Sequence, residues 1–272
     1  MTSILATLDP CMHVIAAALY GAAFVAVVFD SGARLVRLQV IAGASGFSVH
    51  MAALAARWIV VGHGPYVSRY ENLSAYALGT GALALYLAIR GRSDLKLGLV
   101  LYPASTILIG FAVYSGPEAH MLPPTFSGLW LVLHVTFYVL AFATALTALG
   151  ASFLYVRSAA RASRPADEDV LGVLDAAAYR FAGLAFALWG VGMLTGSIWA
   201  YHAWGRYWAW DPVETWSLVT WFAYGAYLHM RRFFALRGSR AAWFLLIAFV
   251  LALMSLFGTS LLSDSLHAVY FQ

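Results

Sequence analysis

Three histidines and a dense run of tryptophans carry what chemistry this sequence has. Six of the ten tryptophans, Trp199, Trp204, Trp208, Trp210, Trp216 and Trp221, fall in 197–221, SIWAYHAWGRYWAWDPVETWSLVTW. The other four, Trp58, Trp130, Trp189 and Trp243, are scattered in the way membrane-interface anchors are. A cluster this dense suits a flat apolar partner. His134, in WLVLHVTFY, and His267, in SLHAVY, can both reach the region under that aromatic stretch. Two imidazoles either side of an aromatic slab suggest axial ligation of haem iron, for which histidine is a common ligand. His229 has a separate logic. Trp221, Gly225 and His229 are four apart and share a helix face, with the glycine giving room beside the imidazole. That face is either a helix-packing contact or a second ligand position deeper in the membrane.

The element that positions the aromatic stretch is written into it. Asp211-Pro212-Val213-Glu214 places a carboxylate at a helix cap, proline at the first helical position and a second carboxylate that reaches back to the cap. The pattern predicts a helix from Pro212, with 201–210 as an aromatic loop laid against its end at the membrane surface. Asp211 and Glu214 read as caps rather than as general acids, and no residue stands out as catalytic. Nothing marks Ser217 as a nucleophile. The absence of HExxH and of cysteine-histidine spacing argues against zinc, and the single cysteine, Cys11, excludes an internal disulfide or a paired-thiol motif.

Composition sets the surroundings of these residues. Hydrophobic residues make up 62 % of the chain and charged ones 10 %, against about 25 % charged in a soluble domain. Apolar runs at about 11–29, 38–61, 73–89, 97–114, 128–155, 178–199, 214–233 and 241–258 approach or exceed the length that crosses about 30 Å of hydrocarbon. The expected fold is all-α: a polytopic membrane helical bundle of about eight transmembrane helices. Residues 1–272 are expected to form a single integral membrane domain with a tryptophan-rich loop over about 199–216. The first run lacks a positive n-region and reads as a retained span.

Charge orients the bundle. Of the sixteen basic residues, thirteen fall between spans one and two, three and four, five and six, or seven and eight: Arg34, Arg37, Arg90, Arg92, Lys96, Arg157, Arg161, Arg164, Arg180, Arg231, Arg232, Arg237 and Arg240. By the positive-inside rule these face the cytoplasm, so both termini and the tryptophan loop face outward. The net charge of +4 is thereby accounted for by topology and calls for no nucleic acid; the surrounding partner is membrane lipid. On the outward side, 62–72 and 115–127 are rich in glycine and proline and read as loops. The mixed-charge segment 156–177 reads as a solvated cytoplasmic connection. Arg57, inside the outer end of a span, is either a snorkelling anchor or a charge held for an anionic group such as a propionate. His50 lies near mid-membrane and receives no ligand role.

The stretch GSIWAYHAWGRYWAWDPVETWSLVTW followed by AYLHMR resembles the tryptophan-rich WWD signature of haem-handling membrane proteins, most closely the CcsA or ResC family of System II cytochrome c synthesis. WLVLHVTFY, LFGTSLLSDSLHAVY and RWIVVGHGPYVSRYENL extend the resemblance over about 50–270. It implies that His134 and His267 are external axial ligands, and that the loop with Trp204, Trp208, Trp210, Asp211 and Trp216, together with Trp221, cradles haem b. His229 matches a transmembrane histidine that pairs with one from a CcsB or ResB-like partner. The implied activity is that of a holocytochrome c synthase subunit in the bacterial cytoplasmic membrane. The resemblance implies that haem is presented at the outer face and joined to the CxxCH thiols of apocytochrome c; whether its export also runs through this chain is left open at this point. Val213 departs from the lysine common in the family, and His202 adds an external histidine that could compete as ligand. A haem chaperone or regulator of the HemX or CcmC type is the alternative reading, and a transporter of another amphipathic solute is a second.

Overall fold

The computed structural model describes residues 2–29, 32–91, 96–118, 125–161 and 165–258, which form eight helices and, among the described residues, no strand. They gather into two compact units that divide between residues 124 and 125. The first contains α1 (Thr2–Val28), α2 (Ala33–Val61), α3 (Arg69–Ile89) and α4 (Gly98–Ser115). α1 packs against α2 and α4, and α3 packs against the same two, which closes a four-helix ring. The second contains α5 (Leu129–Ala159), α6 (Pro165–Trp204), α7 (Pro212–Phe233) and α8 (Gly238–Leu253), the last continued by a π-helical turn, Met254–Gly258. α5 and α7 each pack against both α6 and α8.

Seven of the eight helices are long and apolar enough to cross a membrane, and the chain is a multi-pass, all-helical membrane protein. The exception is α7. It forms where the sequence predicts, but Glu214, His229, Arg231, Arg232 and its hydroxyl-bearing residues lower its hydropathy. The α5 and α6 contact is the most extensive in the second unit, because α5 buries a run of small residues, Ala141, Ala143, Ala145, Ala148 and Ala151, that lets the backbones approach.

Three expectations about boundaries and one about a side chain need correction. α6 is 40 residues long, about 60 Å at 1.5 Å per residue and twice the hydrocarbon thickness. Most of 156–177 is therefore helix rather than solvated loop: α5 runs to Ala159 and α6 begins at Pro165. Proline at the start followed by Asp167, Glu168 and Asp169 favours a helix N-terminus there. At its other end α6 continues through Trp204, so the aromatic loop shrinks to 205–211. α3 begins at Arg69 inside the expected outward loop, because Ser68 and Glu71 form a reciprocal capping box. The Ser68 hydroxyl accepts from the Glu71 N–H at 3.2 Å, while Glu71 Oε2 accepts from the N–H groups of Val67 and Ser68 at 2.9 and 3.2 Å.

Arg57 is neither a snorkelling anchor nor a charge held out for a ligand. It is 2 % exposed, and its guanidinium donates to Glu71 Oε1 at 2.9 Å and to the carbonyls of Pro117 and Glu118 at 2.6 and 2.8 Å. These bonds hold the chain after α4 against the ends of α2 and α3.

In the second unit the arginine-bearing ends of the helices are tied by a bidentate pair. Arg231 of α7 donates to both oxygens of Asp175 on α6, at 2.7 and 2.8 Å, and the Gly238 N–H that opens α8 donates to Asp175 Oδ1 at 3.3 Å. The matched fork of guanidinium and carboxylate makes this among the stronger kinds of ion pair. Asp175→Asn should lower unfolding stability in detergent by about 1–2 kcal/mol, since the pair is partly solvated. The exchange Asp175→Arg with Arg231→Asp should recover part of the loss in thermal melts.

Candidate functional site

α5 delivers His134 to a notch in α6. Gly192 and Gly196 lie one turn apart on α6, and side chains from α5 occupy the space they leave. A Cβ at Gly196 would lie 2.3 Å from His134 Nδ1, and one at Gly192 would lie 2.8 Å from the Tyr138 ring. In that notch His134 Nδ1 is 2.8 Å from the Gly192 carbonyl oxygen. A carbonyl only accepts, so Nδ1 carries the proton and the ring lone pair is on Nε2. In this tautomer Nε2 can ligate iron or another metal while the second ring nitrogen is held by a backbone acceptor.

The imidazole is layered with aromatic rings. Trp199 stacks on it at 6.2 Å between centroids and 18° between planes, and Tyr138 meets it edge-on at 4.9 Å. Trp199 is 4 % exposed. Its indole N–H donates to the Thr125 carbonyl at 2.9 Å, and its ring is met edge-on by Phe126 and Trp204 at 5.3 and 4.9 Å. Trp199 thus joins the chain entering α5, the last turn of α6 and His134.

The loop 205–211 is held at both ends. On the α6 side the Ser197 hydroxyl donates to the Tyr207 carbonyl at 2.9 Å, and Tyr201 and Tyr207 stack at 4.4 Å with 10° between planes. On the α7 side the predicted capping box is present. Asp211 Oδ1 accepts from the Val213 N–H at 2.9 Å, and Glu214 Oε2 accepts from the N–H groups of Asp211 and Ala209 at 3.2 and 2.8 Å. Trp210 takes a left-handed backbone, φ 58°, rare for a bulky residue, and its ring is 70 % exposed. Trp208 meets it edge-on at 5.8 Å and has a buried indole N–H with no partner among the described residues.

One turn beneath His134 the three helices share a single hydroxyl. Ser217 of α7 accepts from the Trp189 indole N–H at 2.8 Å and hydrogen-bonds the Tyr138 hydroxyl. Its partners are a phenol and an indole, neither a base for a nucleophile, and its role is to fix α5, α6 and α7 in register.

The comparisons with known proteins fall on this half of the chain and beyond it. A family model described as cytochrome C assembly protein matches residues 66–267. The chain belongs to the cytochrome c assembly protein family. Its relatives include proteins named cytochrome c biogenesis protein CcsA. One from Chlamydomonas reinhardtii is 32 % identical over 80 % of this chain and 64 % of its own length. One from Synechococcus sp. (strain JA-3-3Ab) is 30 % identical over 84 % of both, and one from Pinus thunbergii is 27 % identical over 94 % and 96 %. A solved structure titled cytochrome c haem lyase CcmF has the same fold, with a TM-score of 0.68 at 19 % identity over 99 % of this chain. The chain spans 48 % of that protein and just under two thirds of the Chlamydomonas relative.

For this family member the structure brings His134, Trp204 and the loop tryptophans to one end of the second unit and leaves others elsewhere. Trp216 is half-buried in the second turn of α7. Trp221 packs into α6, its ring stacked on Phe186 at 4.7 Å and its N–H donating to the Phe186 carbonyl at 3.1 Å. The space at Gly225 holds the Phe186 ring, 3.0 Å from where a Cβ would stand, and not the His229 imidazole as its spacing suggests. His229 is exposed near the opposite end of α7, beside Phe233 and Phe234. His202 is exposed on the last turn of α6. His267 lies outside the described residues. Sequence reasoning counted Trp199 in the cluster without giving it a role, and missed Tyr138 and the Gly192 and Gly196 notch; the i, i+4 glycines on a span were the available signal.

The notch predicts a coupling between two positions. Gly196→Ala forces the imidazole out and should cost about 1–3 kcal/mol by overpacking, whereas in a His134→Ala background the same change should be neutral or stabilising. A double-mutant cycle of thermal melts in detergent measures the difference.

Proposed function

We propose that this chain works in cytochrome c biogenesis by holding haem b at the outer membrane face for attachment to apocytochrome c. The observation that carries the reading is His134: its Nδ1 proton is committed to the Gly192 carbonyl and its lone pair is on Nε2, under a layer of tryptophans. That donor set fits haem iron and an apolar macrocycle together. His134 and His267 are the axial pair in this reading. Trp204, Trp208, Trp210 and Trp216, set by the Asp211 and Glu214 cap, form the apolar wall against which the ring lies.

Haem is here the substrate. Each CxxCH thiol adds across a vinyl double bond, forming a carbon–sulfur bond while the proton goes to the adjacent carbon, so no electron acceptor is consumed. The chain's share is orientation and ligation, and the reactive groups are the porphyrin's and the apocytochrome's. His229, exposed on α7, pairs with a histidine of a CcsB or ResB-like membrane partner in a second haem site nearer the cytoplasmic side, from which haem moves outward. Both termini and the 205–211 loop face the outside of a bacterial cytoplasmic membrane.

The test is an absorption spectrum of the detergent-purified protein, alone and co-expressed with a ResB-like partner. A reduced low-spin haem spectrum that is lost or shifted in His134→Ala and in His267→Ala is the expected result, with a yield that rises with the partner. Haem-free wild-type protein in both preparations overturns the reading.

A further inference from the structure

The first unit contains a chain of titratable side chains that the haem reading does not use. On α2 the residues Gln39, Gly43, Gly46, His50 and Arg57 are all buried and recur at three, four or seven positions, which places them along one stripe. Gln39 and Arg57 are separated by 18 residues of helix, about 27 Å at 1.5 Å per residue, close to the thickness of the hydrocarbon. Polar groups facing each other across that stripe are costly in a membrane and characteristically mark a path for an ion or proton.

The centre of the stripe is a serine between two imidazoles. Ser74 Oγ on α3 is 2.7 Å from His13 Nε2 on α1 and 2.9 Å from His50 Nε2 on α2, and all three residues are fully buried. A hydroxyl has one proton, so it donates to one ring and accepts from the other. The direction is set at His13. Its Nδ1 lies 2.9 Å from the Asp9 carbonyl oxygen, 3.0 Å from Asp9 Oδ1 and 2.9 Å from the Tyr70 hydroxyl, whose own proton goes to Asp9 Oδ1, so all three neighbours accept and Nδ1 carries a proton. The neutral ring then accepts at Nε2 from Ser74, and Ser74 accepts from the Nε2–H of His50. His50 is left with its lone pair on Nδ1, a buried nitrogen that has no hydrogen-bond partner among the described residues. The Tyr20 ring faces it at 6.0 Å, and the Tyr20 hydroxyl is likewise buried without a partner. Beyond Tyr20 the stripe continues at Tyr102, stacked on it at 6.2 Å, whose hydroxyl fills the space left by Gly43, 2.7 Å from where a Cβ would stand.

From this order of donors and acceptors we infer that the first unit holds a proton relay running from His50 through Ser74 and His13 to Asp9, entered from the Tyr20 and Tyr102 side of the stripe. A proton taken up at His50 Nδ1 sends the Nε2 proton to Ser74. Ser74 passes its own to His13 Nε2, and His13 releases its Nδ1 proton to Asp9. One proton enters at His50 and one is delivered to Asp9, and no electrons move. Each transit inverts the tautomers of the two rings, so both rings and the Ser74 hydroxyl must turn back, and Asp9 must pass its proton on, before the next. The receiving end has a charge that accepts it. Asp9 and Glu71 are two buried carboxylates facing the one guanidinium of Arg57, at 3.9 and 2.9 Å, and Tyr70 donates to Asp9 Oδ1 at 2.9 Å. The groups are spaced for proton exchange rather than for a metal ion: no three carboxylates, imidazoles or thiols among the described residues converge as a metal site.

The path is tested with the full chain in liposomes holding a pH-sensitive dye, with protons driven inward by a potassium diffusion potential. Wild-type protein should acidify the interior faster than protein-free liposomes do. Ser74→Ala, which removes the shared hydroxyl, should slow the protein-dependent rate by about tenfold or more, and Ser74→Thr should retain it. His50→Gln keeps a donor to Ser74 but cannot relay, and should behave as Ser74→Ala does while melting at the wild-type temperature. A wild-type rate equal to that of protein-free liposomes, or a rate unchanged in both Ser74→Ala and His50→Gln, overturns the inference. Neither result depends on haem, so the outcome is separate from that of the spectra.

Discussion

A helix carbonyl has a second lone pair beyond its ladder bond, and that of Gly192 accepts from His134 Nδ1 at 2.8 Å, with the Thr195 hydroxyl as a longer third donor at 3.1 Å. That bond is available only where the neighbouring helix has no side chain in the way. Gly192 and Gly196 provide the gap at a cost in helix propensity of up to about 1 kcal/mol each relative to alanine. What they gain is a half-buried imidazole with a defined tautomer and a fixed plane. Trp199 can stack on the ring because the ring is fixed, and Trp204 and the chain entering α5 pack on Trp199 in turn. The aromatic end of the second unit is layered outward from that one hydrogen bond.

Each unit has a serine hydroxyl where three helices meet, and the two serve different ends. Ser217 is bonded to Tyr138 and Trp189, groups that stay as they are across the physiological range, so the contact is static. Ser74 stands between two imidazoles, which exchange protons readily, so the same kind of contact becomes a relay. The difference lies in the partners and not in the serine. In a membrane interior such hydrogen bonds add modestly to stability, about 0.6 kcal/mol each, and their larger effect is to fix helix register.

The two capping boxes show how a short polar motif decides where a span ends. Ser68 with Glu71 and Asp211 with Glu214 satisfy backbone N–H groups at the starts of α3 and α7. Both glutamates also reach residues before the cap, Val67 and Ala209, and so hold the preceding loop as well as the helix. At α3 the same glutamate receives Arg57, and at α7 the cap sets the left-handed turn at Trp210.

Composition and local pattern determined that this chain is an all-helical membrane protein. They also determined that a helix starts at Pro212, because hydrophobic length and capping chemistry are properties of adjacent residues. The clustering of tryptophans was legible for the same reason, and the depth of His134 in its span put it within reach of them without fixing a contact. What only the tertiary structure decided is which residues meet across helices. Nothing local to Gly196 says that an imidazole fills its gap, and Gly225, read as room for His229, receives Phe186 from another helix. The buried stripe on α2 was present in the spacing of Gln39, Gly43, Gly46, His50 and Arg57. Its meaning came from Asp9, His13 and Ser74, which lie on other helices and reach it only when the ring of four helices closes.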